Sequence, residues 1–470
     1  MKLSHRFPPV SAVFDDPNLV SSAGLIPVVK LAQDAGLPAL ADQHLSVPGD
    51  KGAHGGDKVM SLVAGMVAGG DSIDDMALLR HGAMGKVFDR PYAPSTLGSF
   101  LRAFTFGHVR QLDAVASRFL TALGASTPVV TGIGQPVLVD IDDTIIEVHG
   151  YTKQGSGYGY SGVRGLNALL ATASTNNGAP VIVAQRLRKG STGSPRGAAR
   201  LVTDALATTA KLRPPATPAT AGPVLLRADS AFYGRPSIAA ALRGGADVSV
   251  TVRLDPRIRS AITAIEPSAW TTIQYTDAIF DQATNTWISR AEVAEIPFTA
   301  FGSKRASEQV AGRLVVRRIP DLNTAATTGQ RTLFDTWRFH AFFTTTDPDL
   351  LDTVAADKTH RGHAIIEQVH ADLKSSALAH LPSGKFTANA AWLVLAVIAF
   401  NLTRAAASLA APSLTKATTA TIRRKLITIP ARIASSARQL KLHLPTGWPW
   451  QDAWTELFIR TCGPPRTVTP

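Results

Sequence analysis

Three acids stand where they could do chemistry. Asp142 closes the run Pro136–Asp142 (PVLVDID). Asp229 directly follows Val224–Ala228, in Arg227-Ala228-Asp229-Ser230. Glu367 lies in His360-Arg361-Gly362-His363-Ala364-Ile365-Ile366-Glu367. Acids at the ends of adjacent strands, plus one from a helix packed on the sheet, can converge on one point. Hard cations such as magnesium take oxygen ligands, with waters and phosphates completing the shell. Two such ions ~3.5–4 Å apart clamp the attacking and leaving oxygens of an in-line phosphoryl displacement. Aspartates at strand ends are also common turn residues, so the spacing alone leaves both readings open. In Asp140-Ile141-Asp142-Asp143 the strand period of two puts Asp140 and Asp142 on one face and Asp143 on the other. Asp142 is nearest the carboxyl end and is the candidate ligand. Asp140 is deeper and would support it from behind, while Asp143 is assigned to the turn.

The segment around Glu367 has a second pattern. At about 100° per residue, His360, His363, Glu367, His370 and Lys374 fall within about 80° of arc, with Ile365, Ile366, Val369 and Leu373 around the other side. One face is apolar and the other bears a glutamate among cationic or titratable groups. Lys374 can meet a phosphate as a point charge. A solvated face would give the same period. Histidines at these spacings without a matched fourth ligand make a poor structural zinc site.

The elements that must position these residues follow from pattern. Residues 1–130 read as helical, including Leu25–Ala35, Val59–Gly69, Ser95–Phe104 and Val109–Leu123. From Gly132 the pattern changes to strands at Pro136–Asp142, Thr144–His149 and Pro180–Leu187. A helix over Arg196–Lys211, a strand at Val224–Ala228, a helix over Arg235–Arg243 and a strand at Ala246–Leu254 follow, and Gly155–Gly165 and Leu212–Pro223 are loops. This order predicts an α/β sheet. Residues 255–339 turn mostly β and read as an insertion. His340–Thr345 returns to the sheet, Asp347–Lys374 is helical, and Ala388–Ala411 is a long apolar helix. The remainder reads as basic and helical.

The chain has 470 residues with 48 Lys and Arg against 35 Asp and Glu, a net charge of +13. The excess is local. Residues 1–130 hold eleven Lys/Arg and eleven Asp, whereas ten Lys/Arg and no acid lie between Leu373 and Asp452. A stripe of this kind favours a polyanionic partner. Candidate phosphate contacts are Arg186, Arg188 and Lys189 after the third strand, and Arg423, Arg424, Lys425 and Arg432 in the stripe. The single cysteine, Cys462, excludes an internal disulfide and is expected to be a buried or inert thiol. Met1–Arg6 leads into prolines and acids, so no signal peptide is expected. The run Ala390–Phe400 is too short to span a bilayer. A cytoplasmic, nucleoid-associated protein with no membrane partner is expected.

The combination VDIDDT…HG, LLRADSAFYG and HRGHAIIEQVHADLK, followed by LPSGKFTANAAWLVLAVIAFNLTR, resembles the DDE transposases of bacterial insertion sequences. It looks most like the insertion-sequence thirteen-eighty group, allied to the hairpin-forming cut-and-paste transposases, and covers roughly Pro136 to Arg404. The resemblance implies an RNase H-like α/β core, a mixed sheet with flanking helices, interrupted by a β-rich insertion. It implies metal ligation by Asp142, Asp229 and Glu367, two Mg2+ or Mn2+ ions, and cleavage followed by strand transfer. Related enzymes carry Tyr, Arg, Glu and Lys along the last helix. Glu367 and Lys374 fill two of these places, and His360 and His363 stand at the other two. The implied partners are transposon-end DNA with its inverted repeats, target DNA and a second copy of the chain in the synapse. The expected domains are 1–130, helical and DNA-binding; 131–254, the first part of the core; 255–339, the insertion; 340–411, the second part of the core with the glutamate helix; and 412–470, a basic helical segment. By analogy, an aromatic residue of the insert (Trp270, Trp287 or Trp337) could hold a flipped base, though core packing explains each as well. A helix-turn-helix over Ser95–Leu123 could read the repeats. A nuclease or resolvase on the same fold, without strand transfer, and a catalytically inactive DNA-binding derivative are the alternatives.

Overall fold

The computed structural model describes residues 10–89, 91–150, 152–214, 222–281, 286–320, 337–436 and 439–464. Met1–Arg6, most of the loop Leu212–Pro223 and the Trp287 side chain lie outside the described residues.

The helices in chain order are α1 (Leu25–Asp34), α2 (Leu37–His44), α3 (Gly55–Ala68), α4 (Met84–Val87), α5 (Pro94–Arg102), α6 (Phe106–Ser126), α7 (Ala198–Leu212), α8 (Arg235–Arg243), α9 (Pro256–Thr263), α10 (Thr353–Arg361), α11 (Ile365–Lys374), α12 (Phe386–Ala410), α13 (Thr419–Ile422) and α14 (Gln451–Cys462). The strands are β1 (Leu19–Val20), β2 (Val137–Glu147), β3 (Gly157–Tyr158), β4 (Arg164–Ser174), β5 (Val181–Lys189), β6 (Val224–Ala228), β7 (Asp247–Thr251), β8 (Thr271–Asp281), β9 (Thr286–Ala300), β10 (Val310–Pro320), β11 (Trp337–Thr344), β12 (Ala431–Ser436) and β13 (Gln439–His443).

Among the described residues the main sheet runs β3-β4-β2-β6-β7-β11-β10-β9-β8, with β5 also on β4. β2, β6 and β7 are parallel; β4 runs antiparallel to β2, and β5 antiparallel to β4. The insertion is not a detached sheet. β11 pairs with β7, β10 with β11, and β9 with β10, so the core sheet continues into it. One hydrophobic cluster extends from Val20 through the sheet to Leu457. The N-terminal helices share that cluster and do not close a core of their own. At its centre is α12, buried along nearly its whole length. Asn401 of α12 receives the Ile182 N–H at 2.9 Å and donates to the Ile182 carbonyl at 2.8 Å, fixing α12 against β5. α12 is long and apolar enough to cross a membrane, and its most apolar window is 94% buried within the protein.

Several expectations change. The two strands expected at Pro136–Asp142 and Thr144–His149 are one, β2, because β4 pairs along its length from Leu138 to Glu147. The expected loop Gly155–Gly165 holds β3 and the start of β4. The helix carrying Glu367 is broken by a tight turn at Gly362–Ala364, so His360 and Glu367 do not share one regular helix face. The C-terminal segment is not wholly helical. β12 and β13 form a hairpin whose edge pairs with β1, Leu19 opposite Arg432 and Val20 opposite Ala431. Cys462 is exposed. The helices of the expected helix-turn-helix exist as α5 and α6, and α6 packs on the core and on α7. Val109, Leu112, Val115 and Phe119 are buried, while Arg110 pairs with Asp204 at 3.1 Å and Ser117 bonds Thr208 at 2.9 Å on α7.

Candidate active site

The parallel register of β2 and β6 sets the site. Pairing ends with Ile141 opposite Ala228, and the next residues along each strand are Asp142 and Asp229. Asp142 accepts the Asp143 backbone N–H at 2.7 Å. Asp229 caps the short turn Ser230–Phe232 by accepting the Ala231 N–H at 3.0 Å. The Asp142 carboxyl is pushed up to about 7, chiefly by burial; the Asp143 N–H opposes this and the Asp229 charge adds to it. Burial also raises Asp229. Two carboxyls are thus placed at adjacent strand ends, where burial disfavours the ionised form of each. By donor type the pair fits a hard divalent cation, whose charge would offset the cost of burying the two ionised carboxylates.

Glu367 sits in the first turn of α11, on its exposed side, while Ile366, Val369 and Leu373 face inward. α11 packs on β2, so Glu367 lies on the helix beside the aspartate pair. Among the described residues no three His, Cys, Asp or Glu groups stand together as a ready-made metal cage. The two aspartates form the platform, and Glu367 comes from a separate element.

Behind the pair lies a buried ionic clasp. Asp140, fully buried, takes Nε and Nη2 of Arg227, each at 2.8 Å, across the register that puts the two residues opposite each other. Its Oδ1 also meets Nδ1 of His363 at 2.9 Å. Arg227 further donates from Nη1 to the Thr359 carbonyl in the last turn of α10. Gly362 fits there because a β-carbon would stand 2.7 Å from Arg227 Nη1. Arg227 therefore joins β2, β6 and the α10–α11 junction. His363 favours the ionised form of both Asp142 and Asp229.

His360 takes a different place from the one expected beside the glutamate. Its ring stacks on Phe342, with centroids 4.1 Å apart and planes within 8°. Its nitrogens bond Ser249 Oγ at 2.8 Å and Thr251 Oγ1 at 3.0 Å. It is a packing residue between α10 and β7, with no ring nitrogen left for phosphate. His370 lies 3.7 Å from Asp142, but burial pushes its pKa down to about 4, so near neutral pH the contact is not an ion pair. Lys374 is exposed and reaches Thr144 Oγ1 at 3.4 Å, beside the aspartates.

The expected phosphate contacts divide. Arg188 is buried, not presented to solvent. It pairs with Asp143 at 2.6 Å, bonds Asn167, and donates to the carbonyls of Ser194 and Arg196 at 2.8 and 2.7 Å. Asp143 is accordingly part of this buried group on the opposite face of β2 and does not serve a turn. Arg186 is bound to Asp204 at 3.0 Å and lies 3.9 Å from Asp113. Arg423 is turned inward, donating to the Val67 carbonyl at 3.3 Å. Arg432 is exposed beside Asp16 at 3.4 Å. Lys189 and Arg424 are exposed and Lys425 half-buried. Arg424 and Lys425 lie over the Trp450 ring at 5.8 and 5.4 Å. In the insert, Trp270 and Trp337 hold the Arg318 guanidinium between them at 4.1 and 4.4 Å.

Sequence reasoning passed over Arg227 and Tyr160. An arginine within the short apolar strand Val224–Ala228 signals a buried acid on a neighbour, and Asp140 is that acid. Tyr160 donates from its hydroxyl to the Asp143 carbonyl at 3.2 Å. Its phenol is pushed up to about 12, by burial and then by Asp143, Asp142 and Asp229.

The profile of the family described as transposase DDE domain group 1 matches residues 4–462, nearly the whole chain. No curated protein matches it. The mixed sheet with flanking helices is compatible with the RNase H-like fold of DDE transposases, a family whose activity is DNA cleavage and whose substrates are DNA. With the match extending from residue 4 to residue 462, the chain belongs to the transposase DDE domain group 1 family.

Proposed function

We propose that this protein is the transposase of a bacterial insertion sequence of the thirteen-eighty group, cutting DNA at terminal inverted repeats and joining the released end to a second phosphodiester. The observation that carries the reading is the pairing of Asp142 and Asp229 at adjacent strand ends, with Asp142 pushed up to about 7. Asp142, Asp229 and Glu367 would hold Mg2+ or Mn2+, two ions in all. Bound there, the metal would polarise the phosphodiester and lower the pKa of the attacking water.

The chain's own residues do the positioning. Asp140 is an acceptor and fixes Nδ1 of His363 as the donor, leaving Nε2 for a second partner. Lys374 sets an ammonium next to Thr144 at the edge of the site, where it can hold a non-bridging phosphate oxygen. Lys189, Arg424, Lys425 and Arg432 supply phosphate contacts along the DNA. Two element ends must be held at once, so a homodimer acts in the synapse. The test is incubation of purified protein and Mg2+ with DNA carrying the element's own ends. Nicked ends and joined products are expected; cleavage without joining would instead identify a nuclease.

A further inference from the structure

His370 is 6% exposed, and among the described residues neither of its ring nitrogens makes a hydrogen bond. Nε2 is buried with no partner. Nδ1 stands 3.7 Å from Asp142 Oδ2, just beyond hydrogen-bond range. A buried polar nitrogen without a partner costs stability, and an aliphatic side chain would fill the same place without that cost. The placement comes from two elements in step. α11 packs on β2. His370 faces Asp142, and Lys374, one helical turn further, reaches Thr144 Oγ1, two residues further along β2. Four residues of helix advance about 6 Å and two of strand about 6.6 Å, so the two contacts keep register. Glu367 lies three residues before His370 and is its neighbour on α11. Asp142 is held by one oxygen. Its Oδ1 accepts the Asp143 N–H at 2.7 Å, while among the described residues no donor bonds Oδ2. Oδ2 is the oxygen that His370 faces, and a closure of about 0.8 Å would bring Nδ1 to bonding distance.

We propose that His370 is a positioning residue for Asp142, donating from Nδ1 to Oδ2 and so fixing the carboxylate plane for a divalent cation. The proposal rests on reading Asp142 as a metal ligand. With the Asp143 N–H on Oδ1 and His370 on Oδ2, rotation of the carboxylate is stopped at both oxygens. Each oxygen keeps a second lone pair for the cation. A neutral imidazole has one proton to give. Asp142 fixes it on Nδ1, and Nε2 stays bare in its apolar surroundings. A group that hydrogen-bonds a ligating carboxylate acts on metal affinity without touching the metal.

The test is calorimetric titration of Mn2+ into the full-length wild type, Asp142→Asn, His370→Ala, His370→Asn and His370→Gln, with folding checked by melting. His370→Ala should weaken Mn2+ binding about tenfold or more. An asparagine amide reaches the place of Nδ1, and a glutamine amide the place of Nε2. His370→Asn should therefore stay within about threefold of the wild type, and His370→Gln should bind as weakly as His370→Ala. A side chain that only fills space would give no such order, and the contrast of Asn with Gln decides the matter if the alanine variant does not fold. The proposal is overturned if folded His370→Ala binds Mn2+ like the wild type, or if His370→Gln binds as well as or better than His370→Asn. If either happens while Asp142→Asn abolishes binding, only the role of His370 is wrong. If the wild type binds no Mn2+, or Asp142→Asn binds it as tightly, the reading of Asp142 as a ligand is wrong and the proposal falls with it.

Discussion

Arg227 clasps Asp140 with two nitrogens, each 2.8 Å from a carboxylate oxygen, and neither side chain is more than 2% exposed. The pair lies one strand-period behind Asp142 and Asp229 and ties both strands to the turn before Glu367. Removing one partner of a buried pair leaves an uncompensated charge. Arg227→Met should therefore lower unfolding free energy by about 3–5 kcal/mol. Arg227→Met with Asp140→Leu should recover much of that loss. Denaturant titration of the single and double variants measures it, and an additive double variant would show that the two residues do not act together.

The Asp142–Asp229 pair should destabilise the metal-free protein. A carboxyl whose folded-state pKa is raised loses stability as pH climbs from its unfolded value of about 4 to about 7. Asp142→Asn should remove this dependence and raise metal-free stability at neutral pH by an amount on the order of 2 kcal/mol. Mg2+ should raise the melting midpoint of the wild type and not that of Asp142→Asn. Thermal melts with and without Mg2+ test both statements.

His360 should make the protein acid-sensitive. Its pKa is pushed down to about 3 by burial and then by the nearby positive charges of His363, Arg227 and Arg317. The unfolded chain binds the proton at about 6.5, so the stability from a neutral His360 is complete above that pH and is lost as pH falls toward 3. Between about pH 7 and pH 5 the loss should be about 1–2 kcal/mol. His360→Gln should flatten this part of the curve. An unchanged slope would place the acid sensitivity elsewhere.

Arg188 and Lys189 are adjacent yet should behave oppositely. Arg188→Met strands Asp143 and should cost about 3–5 kcal/mol of stability, with little effect on DNA affinity of the folded fraction. Lys189→Ala should leave the melting midpoint unchanged and lower the slope of log affinity against log salt by about one. Melting curves and salt titrations separate the two.

The sequence carried the aspartates and the alternation well, because a period of two decides faces without tertiary information. Asp140 and Asp142 do share a face, and Asp143 does lie on the other. β4 was not legible. Arg164–Ser174 is Ala- and Leu-rich and buried on both faces, so it has neither alternation nor β-branched enrichment. The one-face reading from His360 to Lys374 failed because Gly362 lets the helix break where Arg227 crosses it, a contact between residues 135 positions apart in the chain. The arginines failed for a related reason. Charge in the sequence does not say which guanidinium meets an internal acid, and Arg186 and Arg188 both do.

The central claim is that Asp142, Asp229 and Glu367 together carry metal-dependent cutting and joining of DNA. The most direct measurement is cleavage and strand transfer on element-end DNA, in Mg2+, by wild type, Asp142→Asn, Asp229→Asn and Glu367→Gln, with folding checked by melting. Losses of about a thousandfold or more in both steps for each variant, with end binding retained, are expected. Mg2+-dependent cleavage by Asp142→Asn at the wild-type rate would contradict the account.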